Sequence, residues 1–321
     1  MSIINQSTAL FCVILPTLIA LSASMDLRNG NFSDTYVPNI YASANEGACS
    51  ISWAIITAQL AADVFNQFKT YKSEANGLLG SGLRWGGYTG NNYIWSRKLS
   101  YQYLIDCCKE CWTGFPTPCD GGNFREAMNF IVNTGLPTGR RFGENQLCKN
   151  ANAPECYQDP VLAAAAGTPP CTDANIDNQI SQVNSGTCTS TCDAGSTTSF
   201  ILTKVTRYQA IPYTSSDNIA NMVNAISGVP RRLLLTEMEV FEDLFEIRGN
   251  TFYTRTYGRS LGWITVAIYG FLLDPTKGQE YWIVRLPFGD YFGDRGYVRV
   301  AKGINNCGIE TPGNQFYFSM E

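Results

Sequence analysis

Eleven of the twelve cysteines lie beyond residue 24, many crowded into short stretches such as Cys107, Cys108, Cys111 and Cys119. No other feature limits the possible folds so strongly. Cysteines at this density in an exported chain read as a disulfide framework, which persists only in an oxidising compartment. Export has its own mark in residues 10–23, "LFCVILPTLIALSA", an apolar run broken by Pro16. It is short for a membrane span and ends in small residues, so residues 1–24 are expected to be a signal peptide cut near Ser22-Ala23-Ser24. The region before it lacks the usual Lys or Arg, and the competing reading is a buried N-terminal strand. Asn31-Phe32-Ser33 is an available glycosylation sequon, consistent with a secreted or lumenal protein.

Composition removes whole classes of function. The net charge is -4, charged residues make up 16%, and no long basic run occurs. Nucleic acid and anionic membrane surfaces are therefore not expected partners, and no membrane span remains after signal removal. The chain of 321 residues contains no histidine. Histidine is the commonest general base because its unperturbed pKa lies near neutrality. Any mechanism needing an imidazole is excluded.

The pattern along the chain predicts helices first and strands later, an α+β protein with two lobes. A helix is expected from Ser52, with Ile55, Ala58, Ala62 and Phe65 on one face and Ser52 as its cap. Gly-rich residues 77–90 read as a surface loop. "FREAMNFIVNTG" predicts a second helix burying Phe124, Ala127, Met128 and Ile131, closed by Gly135. A third uses Ile219, Met222, Val223 and Ile226 and ends at Gly228. Residues 148–192 read as loop-rich and low in apolar periodicity, so their order is expected to depend on disulfides. "WITVAIYGFLL", "EYWIVRL" and "GYVRVAKG" are β-branched and aromatic runs, hence strands of one sheet.

Several of these stretches resemble the papain family, and cathepsin B in particular. The family's nucleophile signature is C-G-[SA]-C-[WY], and residues 49–53 read Cys49-Ser50-Ile51-Ser52-Trp53. "LSYQYLIDCCKEC…PCDGGNFREAMNFI" is similar to the family's second helix, cysteine pair and Gly-Gly wall. "YWIVRLPFGDYFGDRGYVRVAKG" and "NNCGIET" resemble its closing segments. The resemblance implies a papain-like domain over residues 25–321 with a helical N-terminal lobe and a β-sheet or barrel C-terminal lobe. It implies disulfides Cys49–Cys119, Cys107–Cys188, Cys108–Cys111, Cys148–Cys192 and Cys156–Cys171, with Cys307 unpaired or bridging to another chain. Residues 148–192 correspond to the insertion that carries the occluding loop. Histidines in that loop give the family dipeptidyl carboxypeptidase activity, which this loop cannot inherit. "MDLR", residues 25–28, resembles the mature N-terminus, so no propeptide is recognised.

Each catalytic position implied by the resemblance is altered. The nucleophile position is Ser52, whose hydroxyl is too weak an acid to ionise without an adjacent base. The imidazole position falls at Ile264 and the asparagine at Leu286, followed by Pro287 and Phe288. The oxyanion glutamine falls at Glu46, where an ionised carboxylate would repel developing negative charge; loss of one such donor costs about 100- to 1,000-fold in rate. A Ser–Lys dyad is the main escape, but Lys69 and Lys72 lie far along the helix. The expected protein is a non-catalytic homologue.

The resemblance also implies a cleft bounded by Trp53, Asp120, Gly121, Gly122 and Phe288. Glycines permit close backbone approach, so peptide binding could outlast cleavage. The expected partner is a peptide or protein, a protease inhibitor being one candidate. The alternatives are a residual peptidase with a serine nucleophile, and a structural or surface-interaction module in which Ile264, Leu286 and Phe288 fill the cleft. Cys108-Lys109-Glu110-Cys111 is a CxxC pattern that binds zinc or exchanges disulfides in other settings. In an exported, cysteine-rich chain a structural bridge is expected, with no metal and no cofactor.

Overall fold

A computed structural model describes residues 24–28, 44–75, 98–141, 147–196, 198–212, 217–228 and 230–320, with side chains of 69–75 excluded. The signal segment, the Asn31 sequon, the Gly-rich residues 77–90, and the Lys69 and Lys72 side chains lie outside the described residues. The longest helix, α1 (Ser52–Ala75), has Ala54, Ile55, Ile56, Ala58, Leu60 and Ala61 all buried. A helix apolar on nearly every side belongs in the middle of a fold, and here other elements pack around it. Its N-terminus departs from the expectation that Ser52 caps it. The Ile51 carbonyl accepts the first helical bonds, from Ala54 and Ile55 at 2.9 and 3.0 Å, so Ile51 holds the cap position. Ser52 is the first helical residue and its hydroxyl is free for another contact.

Two shorter helices complete the helical lobe. Ser100 Oγ accepts the Tyr103 N–H at 3.0 Å and starts α2 (Tyr101–Cys107). Asn123 caps α3 (Phe124–Asn133), which buries Phe124, Ala127, Met128 and Ile131, the predicted face. Residues 148–192 are not simply loop: they contain α4 (Pro160–Ala166) and α5 (Asp173–Asn184). α4 is only seven residues long and apolar throughout, so it shows no periodicity, and α5 is mostly polar. α5 buries only Gln179 and Val183.

The sheet contains β1 (Met25–Asp26), β2 (Arg207–Ala210), β3 (Leu234–Phe241), β4 (Phe252–Tyr253), β5 (Ser260–Asp274), β6 (Gln279–Arg285), β7 (Tyr297–Ala301) and β8 (Phe316–Ser319). Its order is β2-β8-β3-β5-β6-β7-β4, with β1 added against β5. α6 (Asn218–Ser227) precedes β3 and buries Met222 and Ile226. The predicted strands are β5, β6 and β7, and the architecture is α+β, a helical region followed by a sheet region. β1 reaches β5 only because Gly270 has no side chain: a Cβ there would lie 2.1 Å from the Met25 carbonyl oxygen.

A buried ion pair ties helix to sheet. Arg285 Nη1 on β6 and Asp63 Oδ2 on α1 are 3.0 Å apart and both side chains are fully buried. The Tyr269 hydroxyl donates to Asp63 at 2.5 Å and accepts from Arg285 at 3.0 Å. Burial pushes the Asp63 carboxyl up to about 6, against the pull of Arg285 and Tyr269.

Five disulfides join Cys49–Cys119, Cys107–Cys188, Cys108–Cys111, Cys148–Cys192 and Cys156–Cys171, the pairs that the resemblance implies. The CxxC pattern is thus closed on itself. Cys307 is unpaired and buried. Burial pushes its thiol up to about 11, although a hydrogen bond with Tyr253 pulls the other way. A buried, protonated thiol is not placed to bridge to another chain.

Candidate functional site

The start of α1 is carried against β5. Ser52 Oγ accepts the backbone N–H of Thr265 at 3.2 Å, a contact spanning 213 residues of sequence. Thr265 follows Ile264, so Ser52 meets the backbone next to the position implied for the imidazole. The partner of the hydroxyl is an amide donor, and a donor cannot take a proton. Among the described residues, no Lys, Asp or Glu side chain bonds to Ser52 Oγ.

Leu286 follows β6 and is 0% exposed, its N–H bound to the Gly296 carbonyl at 2.9 Å. Ile264 is half-buried and packs against the core. Apolar side chains at both positions need no hydrogen-bond partner, which a buried imidazole and amide would. Phe288, two residues on, packs tilted against Phe245 and edge-to-face with Phe292, with ring centroids 5.2 and 5.3 Å away.

Glu46 sits in the loop before α1, which a short ladder binds to the segment after β6. Glu46 N–H donates to Pro287 O at 2.8 Å, Asn45 bridges to Phe288, and Gly289 N–H donates to Ala44 O at 3.2 Å. The Glu46 side chain is buried and its Oε2 lacks a hydrogen-bond partner. Burial pushes the carboxyl up to about 8, although the backbone N–H groups of Ser52 and Ile51 favour its charged form. This corrects the expected ionised carboxylate. At neutral pH the neutral acid prevails, because a charge without a compensating cation is costly in this setting.

The glycine wall is lined by the protein itself. A Cβ on Gly122 would lie 2.5 Å from the Trp53 indole, and one on Gly121 2.7 Å from the Phe115 ring. Trp53 is buried, with its N–H donating to Pro118 O at 3.4 Å, so it backs the wall from within instead of facing a groove. Asp120 is exposed, but its carboxylate accepts from the Thr117 N–H and hydroxyl at 2.9 and 2.7 Å.

Two contributors escaped the sequence reading. Thr265 acts through its backbone, which leaves no sequence signal. Gln179 of α5 accepts the Ala48 N–H at 3.1 Å and donates to Glu46 O at 3.4 Å, holding the insertion on the loop. A glutamine within the Ile176, Ile180, Val183 face was the available clue. The insertion also grips the sheet lobe: Asp159 pairs with Arg248 at 2.6 Å, and Tyr157 lies against Tyr291 and Gly289. Among the described residues no group of three or more cysteine, aspartate or glutamate side chains is placed to hold a metal ion, and no helix is long and apolar enough to cross a membrane.

Comparison with known proteins agrees with this geometry. A family model described as "Papain family cysteine protease" matches residues 89–315. The match begins beyond Ser52, so it does not cover the loop leading into α1. Cathepsin B-like cysteine proteinase 4 of Caenorhabditis elegans is 27% identical over 218 residues, covering 66% of this chain and 57% of that protein. Cathepsin B-like CP1 of Giardia intestinalis is 27% identical over 214 residues, covering 66% and 54%. The chain spans little more than half the length of these relatives. Among solved structures, proCathepsin B S9 from Trypanosoma congolense superposes with a TM-score of 0.59 at 18% identity, over 93% of this chain and 77% of that one. The bromelain protease from Ananas comosus, in complex with the E64 inhibitor, gives 0.52 at 18% identity over 93% and 99%. These structural likenesses speak for the fold. With helix start, sheet and cysteine pairs meeting as that fold requires, and the family model spanning most of the sequence, the chain belongs to the papain family of cysteine proteases.

Proposed function

We propose that this cathepsin B-like homologue is a secreted or lumenal protein that does not cleave peptides and works by binding a peptide or protein. The observation that supports this reading is the pairing of Ser52 Oγ with a backbone N–H in place of a base. Acyl transfer needs a group that removes the hydroxyl proton and returns it to the leaving amine. Ile264 and Leu286 can do neither. Ser52 is 6% exposed, which leaves little room for a carbonyl carbon to approach its oxygen. Five disulfides support an oxidising compartment.

The reading as an interaction module with a filled cleft draws on a separate observation, the Phe115 ring lying over Gly121. One binding experiment separates the two. Pure protein is passed over an immobilised cystatin-like inhibitor and an extended-peptide library, before and after Phe115→Ala. Retention by either ligand, strengthened when Phe115 is removed, supports binding along the glycine wall. Absence of retention in both forms refutes peptide binding there. Covalent labelling of Ser52 by a serine-directed phosphonate probe would overturn the non-catalytic reading altogether.

A further inference from the structure

Trp263 is 53% exposed, and its place in the sheet decides what surrounds it. β3 and β5 pair antiparallel, with Glu239 opposite Trp263 and Glu237 opposite Thr265. Side chains directly opposite each other stand on one face with Cβ atoms about 5 Å apart. The indole therefore rises beside Glu239 and diagonal to Glu237. A Cβ on Gly308 would lie 2.6 Å from the indole Cη2, so one edge of the ring rests on that glycine while much of it meets solvent. The aromatic is held in place but left uncovered.

The two carboxylates on this face are not paired within the protein. Among the described residues no hydrogen bond or ion pair reaches the side chain of Glu237 or Glu239. Arg125 attracts Glu237 only from beyond ion-pair distance. Its guanidinium donates to Asn314 Oδ1 at 2.9 Å and lies over the Phe316 ring at 4.9 Å. Glu239 and Arg255 both act on the Cys307 thiol, but the Arg255 guanidinium lies over the Phe241 ring at 3.7 Å. Burial pushes the Glu237 carboxyl above its ordinary value against the pull of Arg125, so its charge is under-compensated.

One chemistry answers both features. A cation is drawn to the face of an indole by the ring quadrupole and to carboxylates by charge. A guanidinium does both at once, its plane stacking on the ring while its N–H fork meets the oxygens. We propose that this sheet face receives an arginine side chain of the bound peptide, with the guanidinium over Trp263 and its N–H groups toward Glu239 and Glu237. The inference rests on the peptide-binding reading above and names the residue that the peptide presents. An apolar side chain would cover Trp263 but leave both carboxylates unmatched, and an acidic one would be repelled.

Calorimetric titration of the full chain with end-capped alanine-glycine hexapeptides carrying one central arginine, citrulline, leucine or glutamate tests this. Citrulline keeps the shape of arginine and lacks its charge. The arginine peptide is expected to bind at least tenfold more tightly than the other three. Raising sodium chloride from 50 to 500 mM should shrink that advantage several-fold, because the face is open to screening. Trp263→Ala and Glu239→Gln, both at partly exposed positions, should each shrink it at least threefold. The peptide comparison uses the wild-type protein and stands even if a variant fails to fold. Equal affinity for the arginine and citrulline peptides, or an arginine advantage unchanged in both variants, would overturn this proposal while leaving peptide binding in place. Binding by none of the four would overturn it too, and the inhibitor and library experiment above then decides the wider reading.

Discussion

At the scale of single residues, Glu46 and Ser52 are coupled to the same helix end by different means. Ser52 satisfies the Thr265 amide, so Ser52→Ala should leave a buried N–H without a partner and cost about 1–3 kcal/mol in chemical denaturation. Ser52→Thr, which keeps an acceptor, has a further methyl to place in a site 6% exposed and is not a clean control. Glu46 makes a prediction in pH. Its folded-state pKa of about 8 lies above the ordinary 4.5, so the stability it contributes is present in full below about 4.5 and is lost as pH rises through 8. Asp63 and Asp106, both raised to about 6 chiefly by burial, act in the same direction over a lower window. Melting temperature should therefore fall between pH 5 and pH 8.5 in the wild type, and the fall should be shallower in Glu46→Gln. A profile unchanged by that substitution would mean that Glu46 is not the buried acid described above.

Among elements, the contact between α1 and β6 sets how firmly the two lobes are joined. The Asp63–Arg285 pair is fully buried, so removing one partner strands the other charge. Arg285→Leu should cost about 3–5 kcal/mol in urea unfolding, and adding Asp63→Leu should recover most of that loss. Simple addition of two losses would show that the pair acts through something other than charge compensation. The elements themselves were unequally legible. α3 could be read to the residue because Phe124, Ala127, Met128 and Ile131 repeat at helical spacing and Gly135 follows. α5 could not, since its buried face is one glutamine and one valine and its order comes from Gln179 and the flanking disulfides. The resemblance pointed to Glu46, Ser52, Ile264 and Leu286, but the raised pKa of Glu46 was not legible in the sequence. That depends on burial, which spacing does not reveal. The N-cap moved from Ser52 to Ile51 for a similar reason: a tertiary contact from Thr265 claimed the hydroxyl that a local cap would have used.

For the whole molecule, the account rests on a papain-family framework in which, as proposed above, the catalytic chemistry has been replaced. The five disulfides, the central helix and the sheet hold Ser52 against β5, where the fold of this family brings nucleophile and base together. On the proposed reading, no group at this place moves a proton. Restoring such a group is the direct test: peptide hydrolysis by the wild type is measured beside a variant carrying Ser52→Cys, Ile264→His, Leu286→Asn and Glu46→Gln. The account predicts no turnover above buffer for the wild type and measurable turnover for a folded variant. Equal turnover by the two proteins would contradict it.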